Sequence, residues 1–368
     1  MPQLFEASTI GSMALANRFV RSATWEGLAG ENGACTPALT ALMEKLAANG
    51  IGLIISGHAY VSPEGQAGPW QLGIYADDLI PKLNQMTEAV HRQSGTIVLQ
   101  LAHAGCRAAF NLTGTARLGP SGGSRKDAHR CQAMTPDDIQ HTVQCFAAAA
   151  ARAQQSGFDG VQIHAAHGYL LSQFLSPFYN RRTDEYGGDI VNRARIVLAV
   201  LEAVREKVGQ QFPVLIKMNS EDFVDHGLQI EEMLQVAAML EAAGIDAIEL
   251  SGGTADSGKL TPVRPGKIRT AESEVYYRAA AERYKRKIGV PLILVGGVRS
   301  YSVAEQIVKS GLADYVALCR PLIREPGLIQ RWQSGDTGPS TCLSDNLCFK
   351  AINAGEGVYC YTARKLNK

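Results

Sequence analysis

Two histidines and a tyrosine fall within one stretch of six residues, His164-Ala-Ala-His167-Gly-Tyr169. Imidazole N–H groups can hold an oxyanion or a carbonyl oxygen. A phenol can supply a proton. Two histidines three apart converge on one small volume if the chain turns helical just past them. Three readings of the pair stay open: core histidines satisfied by the backbone, ligands of a metal ion, or a clamp on a substrate. For the metal reading, no carboxylate or third histidine follows at a familiar ligand spacing.

Other chemistry sits where apolar runs turn polar. Those places read Ser22-Ala23-Thr24, Ser56-Gly57-His58, Gln100-Leu-Ala-His103, Lys217-Met-Asn219, Ser251-Gly-Gly253, Gly296-Gly297 and Cys319-Arg320. Any single case is what a strand does on reaching solvent. The same switch in every run, with Gln, His, Lys and Arg included, favours a polar pocket. Gly296-Gly297 and Cys319-Arg320 suit a phosphate, through backbone N–H groups, a short helix N-terminus and a fork of guanidinium donors. A further set, Cys342, Asp345, Cys348 and Cys360, lies near the C-terminus.

The elements that must position these residues alternate. Strands are expected at 19–22, 52–56, 97–101, 160–164, 213–218, 247–251, 291–295 and 315–318. Several are nearly continuous apolar runs, as in a parallel sheet covered on both faces. Helices are expected at 37–49, 78–93, 136–156, 192–208, 229–243, 272–287, 302–310 and 326–333, with Thr135 as an N-cap before Pro136. Four joints repeat a helix end, a glycine and a strand, at 49–56, 156–163, 243–250 and 310–318. Eight strand–helix units fit a (β/α)8 TIM barrel, whose active site lies at the C-terminal ends of its strands. The extended loops fall at 107–134, 178–190 and 254–270, and a cysteine-containing tail follows. The expected division is a barrel over 1–335 and a tail over 336–368. An open doubly wound sheet is the alternative, but no strand is followed by its G-x-G-x-x-G fingerprint.

Composition excludes other classes. The chain has 368 residues, 46% hydrophobic and 19% charged, too apolar for a disordered protein. Lys+Arg 36 against Asp+Glu 35 gives a net charge of +1, which argues against a nucleic-acid or anionic-membrane partner. No run is long enough for a membrane span, and the N-terminus does not read as an export signal. The expectation is a cytoplasmic protein with reduced thiols, acting on a small molecule and assembling as a homo-oligomer.

The residues then carry a resemblance. The chain resembles the old yellow enzyme family of FMN-dependent NAD(P)H:flavin oxidoreductases over residues 1–335. The matching stretches are NRFVRSA at 17–23, QLAHAG at 100–105, HAAHGYLLSQFLSPFYNRRTDEYGG at 164–188, SGG at 251–253, VGGVRS at 295–300 and ALCRPLIREP at 317–326. The paired histidine looks like the bacterial branch of ene-reductases and 2,4-dienoyl-CoA reductases. The resemblance implies FMN, with NADH or NADPH as co-substrate, and reduction of an activated C=C bond. It implies that Ser22, Ala23, Thr24, Gly57, Gln100, Lys217 and Gly253 lie along the flavin and that Gly296, Gly297, Cys319 and Arg320 hold its phosphate. It implies that His164 and His167 grip a substrate carbonyl and that Tyr169 delivers a proton.

Two departures stand out. Trp25 occupies a position where relatives tend to carry Cys, Thr or His beside the reactive part of the flavin, and its indole would narrow the site or stack near the substrate; Gly27 replaces a substrate-contacting Tyr of one branch. The alternative for Trp25 is a place in the barrel core. The tail looks like a four-cysteine 4Fe–4S motif in which Asp345 replaces one cysteine. Clusters are normally held by thiolates, so a lost or labile cluster is favoured over a bound one, with zinc a further alternative. Competing functions are a metal-dependent hydrolase on the same barrel and a non-catalytic flavin- or tetrapyrrole-binding protein.

Overall fold

Eight parallel strands close into a barrel in the computed structural model, which describes residues 3–123, 131–266, 268 and 270–366. Positions 124–130 of the expected 107–134 insertion, and 267 and 269 of the 254–270 loop, lie outside the described residues. In chain order the barrel strands are β1 (Phe19–Arg21), β2 (Leu53–Tyr60), β3 (Ile97–Ala102), β4 (Gly160–Ala165), β5 (Val214–Asn219), β6 (Ala247–Ser251), β7 (Leu292–Val295) and β8 (Tyr315–Leu318). Sequential neighbours pair, and β8 returns to β1 through Val316↔Phe19. Closure rules out the open doubly wound sheet.

The strands look apolar because two environments alternate along them. Outward side chains pack under the helices. Inward side chains at the lower level, among them Val20, Leu53, Ile55, Val98, Leu215 and Ile293, form an apolar layer. One or two steps further up, the inward positions become Ser22, Gln100, Gln162, Lys217 and Glu249, all buried. Register aligns this upper level: Gln100 pairs with Gln162, His164 with Lys217 and Lys217 with Glu249.

The glycines at the four αβ joints behave as expected. Gly50, Gly157, Gly244 and Gly311 have φ of 75°, 79°, 80° and 70°. Thr135 caps the helix Pro136–Gln155 in a reciprocal box with Asp138. Two expected helices are shorter than their patterns. The 272–287 pattern becomes a helix only at Arg278–Lys285, after Val275 adopts φ 61°. The 326–333 pattern starts at Leu328, because the segment around Glu325-Pro326 is not helical.

The structure adds three features. An N-terminal hairpin, Ser8–Ile10 paired with Met13–Leu15, plugs the barrel floor with Ile10, Met13 and Leu15. A short helix, Leu170–Leu175, follows β4. In the third loop, Arg117–Gly119 pairs in parallel with Cys131–Ala133. That small sheet also corrects the expectation of reduced thiols throughout. It brings Cys131 beside Cys106 at a Cα–Cα distance of 5.3 Å, and the two form a disulfide.

The tail folds back on the barrel mouth. It carries the helices Cys348–Asn353 and Tyr361–Leu366. Among the described residues, no helix is long and apolar enough to cross a membrane.

Candidate functional site

A cavity of about 530 Å³ opens at the C-terminal ends of the strands. It is within the range of small-molecule and cofactor sites. Ser22, Ala23, Thr24, Trp25, Gln100, His164, His167, Tyr169, Lys217, Gly296, Cys319 and Arg320 all line it. Residues expected from separate strand ends thus meet in one volume.

Its floor is a hydrogen-bonded chain across the barrel. Gln100 Nε2 donates to Gln162 Oε1 (2.7 Å), and Gln162 Nε2 donates to Glu249 Oε2 (2.8 Å). Lys217 Nζ donates to Glu249 Oε1 (2.9 Å) and to Ser22 Oγ (2.8 Å). Ser22 Oγ in turn donates to Glu249 Oε1 (2.6 Å). A buried cation is costly unless paired, and Glu249 is that pair. Lys217 has three N–H donors, so one remains beyond these two bonds.

The wall after β4 holds the histidines. Their rings lie 5.2 Å apart, and Tyr169 lies 5.2 Å from His164. The helical turn expected to converge them is absent. The chain instead passes through His167 and Gly168 with φ of 66° and 75°, and the helix begins only at Leu170. A non-glycine residue at such φ is uncommon, and its partners hold it there. His167 N–H donates to Asn219 Oδ1 (3.1 Å), and His167 Nε2 pairs with Ser251 Oγ at 2.8 Å. His164 Nδ1 is buried without a partner among the described residues.

Burial drives both histidines well below the ordinary imidazole range, and the charge on Lys217 adds to it. Both are therefore neutral near pH 7 and each carries one N–H. Burial pushes the Tyr169 phenol up to about 12, with Arg107 pulling the other way. Tyr169 keeps its proton at neutral pH.

Several residues of the site were not singled out from sequence. His58 Nε2 lies 3.4 Å from Tyr169 Oη; its signal was its place at a polar strand end. Gln162 and Glu249 sit inside apolar strands, where a lone polar residue was the only mark. Arg107 lines the cavity and donates to Asp256 (2.5 Å) and Tyr179 Oη (3.3 Å). Nothing local distinguished it. Phe349 and Ile352 of the tail also line the cavity.

Some expected residues lie elsewhere. Gly57 donates to Glu26 Oε1 (2.9 Å), and a Cβ there would meet that carboxylate at 1.9 Å. Its bare Cα accommodates Glu26, which pairs with buried Arg21. At Gly253 a Cβ would meet Leu260 O at 2.2 Å, so this glycine admits the neighbouring loop. Gly297 lines a smaller adjoining cavity of about 70 Å³ with Gly296, Arg299, Arg320 and Ser344. Cys319 Sγ lies 3.1 Å from Thr24 Oγ1.

The tail residues Cys342, Asp345, Cys348 and Cys360 line a third cavity, of about 150 Å³. Asp345 accepts from Thr362 Oγ1 (2.6 Å) and Leu347 N–H (3.0 Å). Burial raises the Cys342 thiol and pushes Cys348 up to about 11. Among the described residues, no group of three or more His, Cys, Asp or Glu is placed to hold a metal ion.

The model of the NADH:flavin oxidoreductase / NADH oxidase family matches residues 3–337. The chain belongs to that family. It is 33% identical to an NADH oxidase of Thermoanaerobacter brockii over 94% of this chain, and spans 53% of that protein. It is 34% identical to an NADPH dehydrogenase of Bacillus subtilis (strain 168), covering 88% of this chain and 92% of that one. A 2-naphthoyl-CoA reductase complex superposes with a TM-score of 0.89 at 27% identity, over 97% of this chain and 56% of that chain. Membership in this old yellow enzyme-like family removes the hydrolase alternative for the paired histidines.

The cavity can be tested against the flavin of this family. At the floor, the Gln100 amide and the remaining Lys217 donor offer the mixed donors and acceptors that a flavin pyrimidine edge requires. The unpartnered His164 Nδ1 marks a polar atom awaiting a ligand. At the phosphate end, Arg320 donates through Nη1 to Arg264 O (3.0 Å), Ser344 O (3.4 Å) and Asn346 Oδ1 (2.7 Å). Among the described residues its Nε and Nη2 have no partner, so they could meet an anion. The residues fit the group.

Proposed function

We propose that this chain binds FMN and uses NADH or NADPH to reduce a C=C bond conjugated to a carbonyl. The observation that carries the reading is the meeting of His164, His167 and Tyr169 at one wall above the Lys217–Glu249 floor. When bound, the flavin would supply hydride from N5 to the β-carbon of the substrate.

The side chains supply the rest. Neutral His164 and His167 each donate an N–H to the carbonyl oxygen, which draws electron density from the alkene and makes its β-carbon electrophilic. Tyr169 holds its proton at Oη and delivers it to the α-carbon, so the alkene gains one hydride and one proton. Lys217 would hold positive charge beside the pyrimidine edge of a bound flavin. Gln100 would orient that edge, and Ser22, Ala23 and Thr24 would line its approach. Gly296, Gly297, Cys319 and Arg320 would hold its phosphate.

Tyr169→Phe tests the assignment. Stopped-flow absorbance separates flavin reduction by the nicotinamide from flavin reoxidation by an enone. The alkene step should slow by about 10²-fold or more, and the nicotinamide step should change far less. Equal slowing of both steps removes Tyr169 from the proton-donor role. A yellow protein whose flavin NADH and NADPH leave oxidised would favour the non-catalytic alternative.

A further inference from the structure

Gly27 follows Trp25 in the loop leaving β1, with φ 61°. A Cβ built on it would lie 2.6 Å from Ile352 Cγ2. The space that a side chain at position 27 would fill is taken by a residue from the far end of the chain. Ile352 is 1% exposed and lines the main cavity together with Phe349 from the same helix, Cys348–Asn353.

The helix is seated on both sides. Val358 N–H donates to Glu26 O (2.7 Å). Asn346 accepts from Arg320 Nη1 (2.7 Å) and donates to Val263 O (2.9 Å). The indole of Trp70 lies against Gly355, where a Cβ would meet it at 3.1 Å. These contacts tie the tail to the loops after β1, β2, β6 and β8.

The tail therefore adds apolar side chains to a cavity whose other walls are largely polar. The histidines stand after β4. Trp25 and Ile352 stand by the end of β1, three strands round the closed barrel, and Phe349 joins them in lining the cavity from the same tail helix as Ile352. Trp25 Nε1 is buried without a partner among the described residues, a donor left for a ligand.

We propose that the tail helix is the specificity wall of this pocket. Ile352 stands in for the side chain that Gly27 lacks. With Phe349 and Trp25 it selects activated alkenes whose end remote from the carbonyl is a flat apolar ring system. The substrate class rests on the enone-reduction reading above, but the wall itself can be read by binding alone.

The test uses the flavin-loaded enzyme with phenol and 2-naphthol, which share one hydroxyl for the histidines and differ in ring area. Calorimetry gives both dissociation constants, and kinetics gives kcat/KM for a cyclic enone with and without an aryl substituent. Phe349→Ala and Ile352→Ala together should reduce the preference for naphthol, and for the aryl enone, by about tenfold or more. Phe349→Leu and Ile352→Val, which preserve packing, should move both preferences part of the way. A folded double variant that keeps the wild-type preferences overturns the wall. Should the alanine pair fail to fold, unchanged preferences in the conservative variants overturn it equally. If the wild type reduces no enone, the reaction reading falls while the phenol–naphthol ratio still decides the wall.

Discussion

At the histidine pair, burial sets the protonation state before any ligand arrives. His164 and His167 lie next to Lys217, the register partner of His164 on the adjacent strand, so a proton on either would place a cation beside a buried ammonium. Neutral rings that donate N–H should hold phenol with an affinity that stays flat from about pH 6.5 to 8.5. Each histidine replaced by alanine should weaken phenol by up to about tenfold, the worth of one hydrogen bond, measured by calorimetry. An unchanged dissociation constant in the double variant would remove the clamp. Burial has a second consequence. It lowers His103 to about 4 and His164 well below 6.5. Below pH 6.5 the unfolded chain takes up protons that the native rings refuse. The stability present above 6.5 is therefore lost as pH falls toward 4, at up to about 1.4 kcal/mol per pH unit for each ring. Urea midpoints at pH 7, 6 and 5 should fall in that order, and His103→Gln should flatten the slope.

At the level of elements, the strands were legible and the closures were not. A strand buried on both faces reads as a short apolar run, and a glycine marks each joint. The N-terminal hairpin gave no such signal, because three-residue strands carry too little pattern. Its Ile10 is fully buried against the inward layer of the barrel. Ile10→Ala should cost about 2–5 kcal/mol in denaturant unfolding. The same variant should bind phenol normally once folded, since the plug lies at the opposite end from the cavity. The turn after β4 shows the limit of local reading. Spacing placed His164 and His167 near one another, but a left-handed turn held by Asn219 and Ser251 brings them together. Those two partners come from β5 and β6.

At the scale of the whole molecule, the tail couples the chain's two ends. It reaches the loop after β1, covers one side of the cavity and carries the cysteines. Asp345 spends both carboxylate oxygens on the tail itself, through Thr362 and Leu347. Clusters are usually held by four thiolates, and this tail offers three cysteines, Cys342, Cys348 and Cys360, with Asp345 in the remaining place. Protein purified without oxygen should hold flavin with far less than one cluster's worth of iron. Asp345→Cys should raise the iron and sulfide content. Stoichiometric iron in the wild type would show that the carboxylate serves as a ligand after all.

The order of residues alone determined eight alternating strand–helix units that favour a barrel, the strand ends that carry polar groups and the six-residue segment holding both histidines and the tyrosine. Each is a local pattern, written in apolar periodicity, turn glycines and motif spacing. Only the tertiary structure decided that Glu249 pairs Lys217, that His58 faces Tyr169, that Arg107 reaches Asp256, that Cys106 joins Cys131, and that Ile352 fills the space over Gly27. In each of these pairs the partners lie on different elements. Their meeting follows from barrel closure and from the path of the tail, which no local window of sequence contains.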